Sequence, residues 1–134
     1  MPKWFMPTAM VCGAMFVASP LLIANAPYES TMGLVQKVFY YHVPAGMIML
    51  LSAIVCGIAS LRFLFSGSEK QDRLAWAAAE LVVVFGVIVL LTGPLWARKA
   101  WGVWWSWDVR LTSSLMGWMI AVAYLLVRRY AGPG

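Results

Sequence analysis

Charge is what this chain has least of: only 11% of its 134 residues are Asp, Glu, Lys or Arg, against 63% hydrophobic. A soluble domain of this size carries about a quarter charged residues. A water-facing exterior is therefore excluded, and an integral membrane protein is implied. Histidine occurs once, at His42, and cysteine twice, at Cys12 and Cys56. Neither Cys-x-x-Cys nor Cys-x-x-Cys-His is present, which excludes a redox dithiol and thioether attachment of a haem. Both thiols lie in apolar stretches and read as small buried groups. Nor is there an acid pair, a nucleophile beside a base or a phosphate-cradling glycine loop, so no enzyme is indicated. The net charge of +5 is scattered over loops and both ends, which argues against nucleic acid as a partner.

What is present is hydrophobic length. Four stretches reach the about 20 apolar residues that a bilayer crossing needs: about 8–26, 42–65, 74–96 and 112–130. Lipid offers the backbone no hydrogen-bond partner, so each must be helical. The fold class expected is all-α: one membrane domain over 1–134, a bundle of four transmembrane helices. The first span contains Pro20, a kink site, and its apolar run lacks an Ala-x-Ala cleavage site, so it reads as uncleaved. Glu80 lies inside the third span and is expected to be protonated or paired with Arg62 or Arg73. The spacing of Gly86 and Gly93 suits close helix packing.

Basic residues set the orientation. With the N-terminus cytoplasmic, Lys3, Arg62, Lys70, Arg73, Arg128 and Arg129 lie inside, and Lys37, Arg98, Lys99 and Arg110 outside, a positive-inside excess. Between the first two spans, Val35, Val38, Phe39 and His42 are spaced i, i+3, i+4, i+7, which predicts a short interfacial helix on the outer surface. Pro44 is expected to break it, with span two starting at Val43 or Pro44. His42 is then at the outer mouth of span two.

Five of the eight tryptophans fall between Trp96 and Trp107, within an outer loop of about 96–113. Interfacial enrichment of indoles accounts for Trp4, Trp76 and Trp118. It does not account for four in seven residues, Trp101, Trp104, Trp105 and Trp107, bounded by Gly102 and Asp108. Were this loop helical, Trp101, Trp104, Trp105 and Asp108 would share one side as an apolar plate ending in an acid. Asp108 can cap the fourth helix or pair with Arg110 or Arg98. Arg98, Lys99 and Arg110 can receive carboxylates, arginine in bidentate fashion. Aromatic surface beside bases suits a flat, apolar molecule with anionic groups, and a neutral imidazole on the same face is a good axial ligand to haem iron.

The run Trp101-Gly-Val-Trp-Trp-Ser-Trp-Asp108-Val-Arg-Leu-Thr-Ser-Ser resembles the tryptophan-rich "WWD" signature of the haem-handling proteins of cytochrome c biogenesis. Thr92-Gly-Pro-Leu-Trp-Ala-Arg98 and Tyr41-His-Val-Pro-Ala-Gly46 strengthen the resemblance, which covers Gln36 to the end. The CcmC type is most similar, the CcsA/ResC type second. The resemblance implies a carrier of non-covalent haem b at the outer face of the bacterial inner membrane, serving c-type cytochrome maturation. Implied partners are a membrane-anchored haem chaperone, a small single-span protein and ABC transporter subunits. By motif, His42 matches an external axial histidine. Trp101, Gly102, Trp104, Trp105, Trp107 and Asp108 match the platform, and Arg110, with Arg98, would meet the propionates. The CcmC type has about six spans and a second external histidine, so this chain resembles its N-terminal four-span portion, and a separate C-terminal half is a further implied partner. Two other readings are a component of a CcsA-type haem lyase or synthetase, and a truncated remnant that binds nothing.

Overall fold

The computed structural model describes residues 2–131, and every long element in it is helical. Helix α1 is Phe5–Ala24, α2 Phe39–Ser66, α3 Glu69–Trp101 and α4 Val109–Tyr130. All four are long and apolar enough to cross a membrane.

The core is a hairpin of α2 and α3 closed by small side chains. Ala45, Met49, Ser52 and Ala59 of α2 are buried, as are Ala75, Ala78, Ala79, Val82 and Gly86 of α3. These positions recur at sevens and fours, the seam on which two transmembrane helices approach closely through small residues. The large side chains point the other way: Leu64 and Phe65 are almost fully exposed, and no large side chain among the described residues is fully buried. Small inside and large outside is the pattern of a bundle solvated by lipid.

Helix α4 packs against α3 at Gly86, where the Trp118 ring lies so close that a Cβ would meet it at 2.4 Å. The Trp118 indole also donates to the Val83 carbonyl at 3.0 Å. Trp118 is thus a packing residue between helices and not an interfacial anchor. At the opposite end from the tryptophan loop, Arg128 of α4 bonds both carboxylate oxygens of Asp72 in the first turn of α3. Glu80 accepts from the Trp76 indole at 2.9 Å, while Arg73 pairs with Glu69 instead. Neither expected partner pairs with Glu80, which is held instead by the Trp76 indole one turn earlier. Helix α1 buries none of its residues and continues through Pro20. Its last turn is tied by Lys37, whose ammonium bonds the Ala24 carbonyl at 2.5 Å and lies over the Tyr28 ring.

Two boundaries differ from expectation and both bear on the site. The interfacial helix is a single 3₁₀ turn, Leu34–Val38, that runs directly into α2 at Phe39. Pro44 falls inside α2 rather than at its start. It gives up the bond to Tyr40's carbonyl, and α2, packed on α3, nonetheless runs unbroken through it. His42 therefore lies one turn inside α2, half-buried, and not at its mouth. Helix α3 is 33 residues long, about 50 Å at about 1.5 Å per residue, against a hydrocarbon core of about 30 Å. Its last turn carries the charged Arg98 and Lys99.

Candidate functional site

The end of α3 is set by Gly102, which takes a left-handed conformation (φ 76°) that a side chain would strain. Its N–H bonds the Arg98 carbonyl at 3.1 Å. Arg98's guanidinium donates in turn to the Gly102 carbonyl. From Gly102 to Asp108 the chain is irregular. The single helical plate considered from the sequence does not form, because the glycine reverses the chain after Trp101.

At the other side of the loop, Asp108 caps α4. Its Oδ1 accepts from the Leu111 N–H at 2.8 Å and its Oδ2 from the Ser106 hydroxyl at 2.9 Å. Arg110 Nη2 is 3.8 Å from the same carboxylate. The Leu111 amide above all, then the Ser106 hydroxyl, holds the Asp108 carboxyl below the usual carboxylate range. Of the two roles open to Asp108, cap and Arg110 partner, both are seen.

The loop's tryptophans part company. Trp101 and Trp105 turn to a cavity of about 370 Å³ that also takes His42, Trp96, Arg110 and Ser114 into its wall. Trp104 lies on a second, more open surface with Leu34, Val35 and Val38, beneath the guanidinium of Arg98 at 6.0 Å. Trp107 packs edge-on against Trp105 and is 74% exposed. Of the residues singled out from the sequence, His42, Trp101, Trp105 and Arg110 are brought together. Arg98 and Trp104 face elsewhere, and Gly102, Trp107 and Asp108 shape the loop without lining the cavity.

Inside the cavity the aromatic rings form a chain. Phe39 and Trp96 are 6.2 Å apart, Trp96 and Trp101 meet edge to face at 5.2 Å, and Arg110 lies 4.8 Å over Trp101. The indole N–H groups of Trp96 and Trp105 are buried without a hydrogen-bond partner in the protein, a costly state that a ligand oxygen would relieve. His42 Nδ1 is 2.8 Å from the Thr92 hydroxyl. Gly93 leaves room for the imidazole, since a Cβ there would come to 3.3 Å of its Cε1. The volume is within the about 300–1,000 Å³ usual for small-molecule sites. The described residues contain no cluster of three or more His, Cys, Asp or Glu side chains. A flat aromatic ligand with carboxylates, carrying its own metal, fits this wall; a bare cation has no cage.

Residues 1–131 match the family model described as CcmC, heme exporter protein C. The chain belongs to the heme exporter protein C family. Heme exporter protein C of Rhodobacter capsulatus is 35% identical over 99 residues, 74% of this chain and 41% of the relative. That of Bradyrhizobium diazoefficiens is 33% identical over 129 residues, 91% of this chain and 49% of the relative. A cytochrome c biogenesis protein CcsA of Prochlorococcus marinus is 41% identical over 64 residues, 48% of this chain and 20% of that protein. The chain thus spans about half the length of the heme exporter relatives it matches. Within this CcmC-type chain, reading the sequence missed Trp96, Thr92 and Gly93 as parts of the site. Trp96 had been counted with the loop, Gly93 with helix packing and both within the Thr92–Arg98 motif, but neither as a residue of the cavity. A threonine before Gly-Pro inside an apolar span was the available signal for Thr92.

Proposed function

We propose that this chain binds haem b non-covalently between His42 and the Trp96–Trp101–Trp105 wall, and passes it on during c-type cytochrome maturation. One observation carries the reading: an imidazole, indoles packed edge to face and a guanidinium converge on a single apolar cavity at the tryptophan end of the bundle. The names of the heme exporter relatives support the same cargo.

Each residue then has a task. His42 offers Nε2 to the iron, and the indoles hold the porphyrin faces away from water. Arg110, half-fixed by Trp101 and Asp108, receives a propionate, with the free N–H groups of Trp96 and Trp105 as further donors. Gly102, Asp108 and Arg98 order the loop, and exposed Trp104 and Trp107 are left for the haem edge or for the protein that takes it. His42 is the sole histidine, so a second histidine ligand would come from another chain or segment; a C-terminal half is the proposed source. Partners in this reading are a membrane-anchored haem chaperone, a small single-span protein and ABC transporter subunits, and the cavity opens to the outer face of the bacterial inner membrane.

The test is the visible spectrum of the chain, purified in mild detergent from a haem-sufficient host, beside His42→Gly. A Soret band that weakens or shifts in the variant and recovers with imidazole is the expected result. A band indifferent to the substitution removes His42 as ligand, and no band in either protein removes haem binding by this chain alone. Similarity to CcsA favours a second reading, a haem lyase component that presents haem directly to apocytochrome. Direct binding of a Cys-x-x-Cys-His apocytochrome peptide would select it over the carrier.

A further inference from the structure

Thr92 is one turn beyond Ile88 on α3, and its hydroxyl is 2.6 Å from the Ile88 carbonyl oxygen and 2.8 Å from His42 Nδ1. A hydroxyl has one proton to give. If that proton pointed to the imidazole, two oxygen lone pairs would face each other across 2.6 Å with nothing between them. The proton therefore goes to the Ile88 carbonyl, the usual back-bond of a threonine in a helix. The hydroxyl is then an acceptor towards His42, and Nδ1 must carry the hydrogen.

We infer that Thr92 is a positioning residue: it fixes His42 as the Nδ1–H tautomer and so leaves Nε2 unprotonated at the cavity. Free imidazole side chains favour the opposite tautomer, in which Nε2 holds the proton and cannot ligate. Gly93 completes the seat, because a Cβ at that position would crowd the imidazole at 3.3 Å from its Cε1 and press the ring away from α3. The outer hydrogen bond also raises the basicity of the ligating nitrogen and fixes the ring's orientation. That Nε2 serves iron rests on the function proposed above; the tautomer itself does not.

The sole histidine makes the test a single-site measurement. The haem-free chain is labelled with ¹⁵N-histidine in detergent micelles and recorded above the ordinary imidazole titration range. The long-range ¹H–¹⁵N pattern of wild type and Thr92→Ser should show Nδ1 protonated and Nε2 bare. Thr92→Val, which keeps the shape but removes the acceptor, should move His42 largely to the Nε2–H form. A wild-type ring protonated on Nε2, or a Thr92→Val spectrum like wild type in a chain of unchanged helicity, overturns the inference. With haem added, Thr92→Val should weaken binding about 10–100-fold, as loss of a ligand's outer partner does, and Thr92→Ser should restore it. If the tautomer shifts as expected while His42→Gly leaves the haem spectrum unchanged, the tautomer lock stands and the ligand assignment fails.

Discussion

At the scale of single residues, Asp108 joins loop and helix with one carboxylate. It terminates α4 through the Leu111 amide, gathers Ser106 and lies beside Arg110. Because these partners favour the ionised form, the folded carboxyl titrates below its ordinary value, and the sign of the pH effect follows. Its stabilising contribution is complete at and above the ordinary carboxylate range and is lost as pH falls through the lower, folded value. Asn keeps an oxygen for the cap but has no charge to titrate. Thermal unfolding in detergent should therefore show the wild-type midpoint falling in acid by a few degrees more than that of Asp108→Asn. At neutral pH, Asp108→Ala should melt below both. Equal acid sensitivity of wild type and Asp108→Asn would mean that other carboxylates govern the acid response. Glu29, held low by the Thr31 and Met32 amides, remains in both proteins and serves as the common background.

At the scale of elements, the α2–α3 hairpin is held by what its side chains lack. Ala79 is 0% exposed at the centre of the seam, where a larger side chain has no space to enter. Ala79→Leu should separate the two helices and cost about 1–3 kcal/mol, as overpacking does, read as a lower melting temperature and a weaker Soret band. Leu81→Ala, on the outward face of the same helix, should change neither appreciably. The four spans were legible because lipid imposes length and apolarity together, and nothing else in 134 residues imitates that. Their ends were less so. Helix α3 starts at Glu69 and stops at Trp101, beyond the apolar stretch expected at both ends, since Glu69 and Asp72 in its first turn and Arg98 and Lys99 in its last complement the helix dipole. The start of α2 was misplaced by giving Pro44 more weight than a helix packed on α3 gives it. In the site, the residue types were readable but their partition was not. Trp104 lies beneath Arg98 and not in the cavity, after an irregular stretch of chain that begins at Gly102, and the Thr92–His42 contact joins residues fifty positions apart.

At the scale of the whole molecule, the cavity has meaning only with respect to a side of the membrane. The tryptophan loop, the first turns of α2 and the last turn of α3 lie at one end of the bundle, and the Asp72–Arg128 pair marks the other. By the positive-inside rule, the excess of basic residues, six against four, makes a cytoplasmic second end the expectation. A carrier that supplies cytochromes outside the membrane requires that same assignment, so charge and proposed function can be tested together. Cys12 and Cys56 are both unpaired, and replacing them by serine and alanine gives a background without thiols. Val109→Cys then reports on the cavity end, where the residue is 87% exposed, and Glu69→Cys on the other, without altering the count of basic residues. A membrane-impermeant maleimide should label Val109→Cys in intact spheroplasts and Glu69→Cys only after permeabilisation. The reverse pattern would place His42 and Arg110 on the cytoplasmic side. Haem could still be bound there, but delivery to an outer-face chaperone would be ruled out, and loading from the cytoplasm would become the function that the same cavity supports.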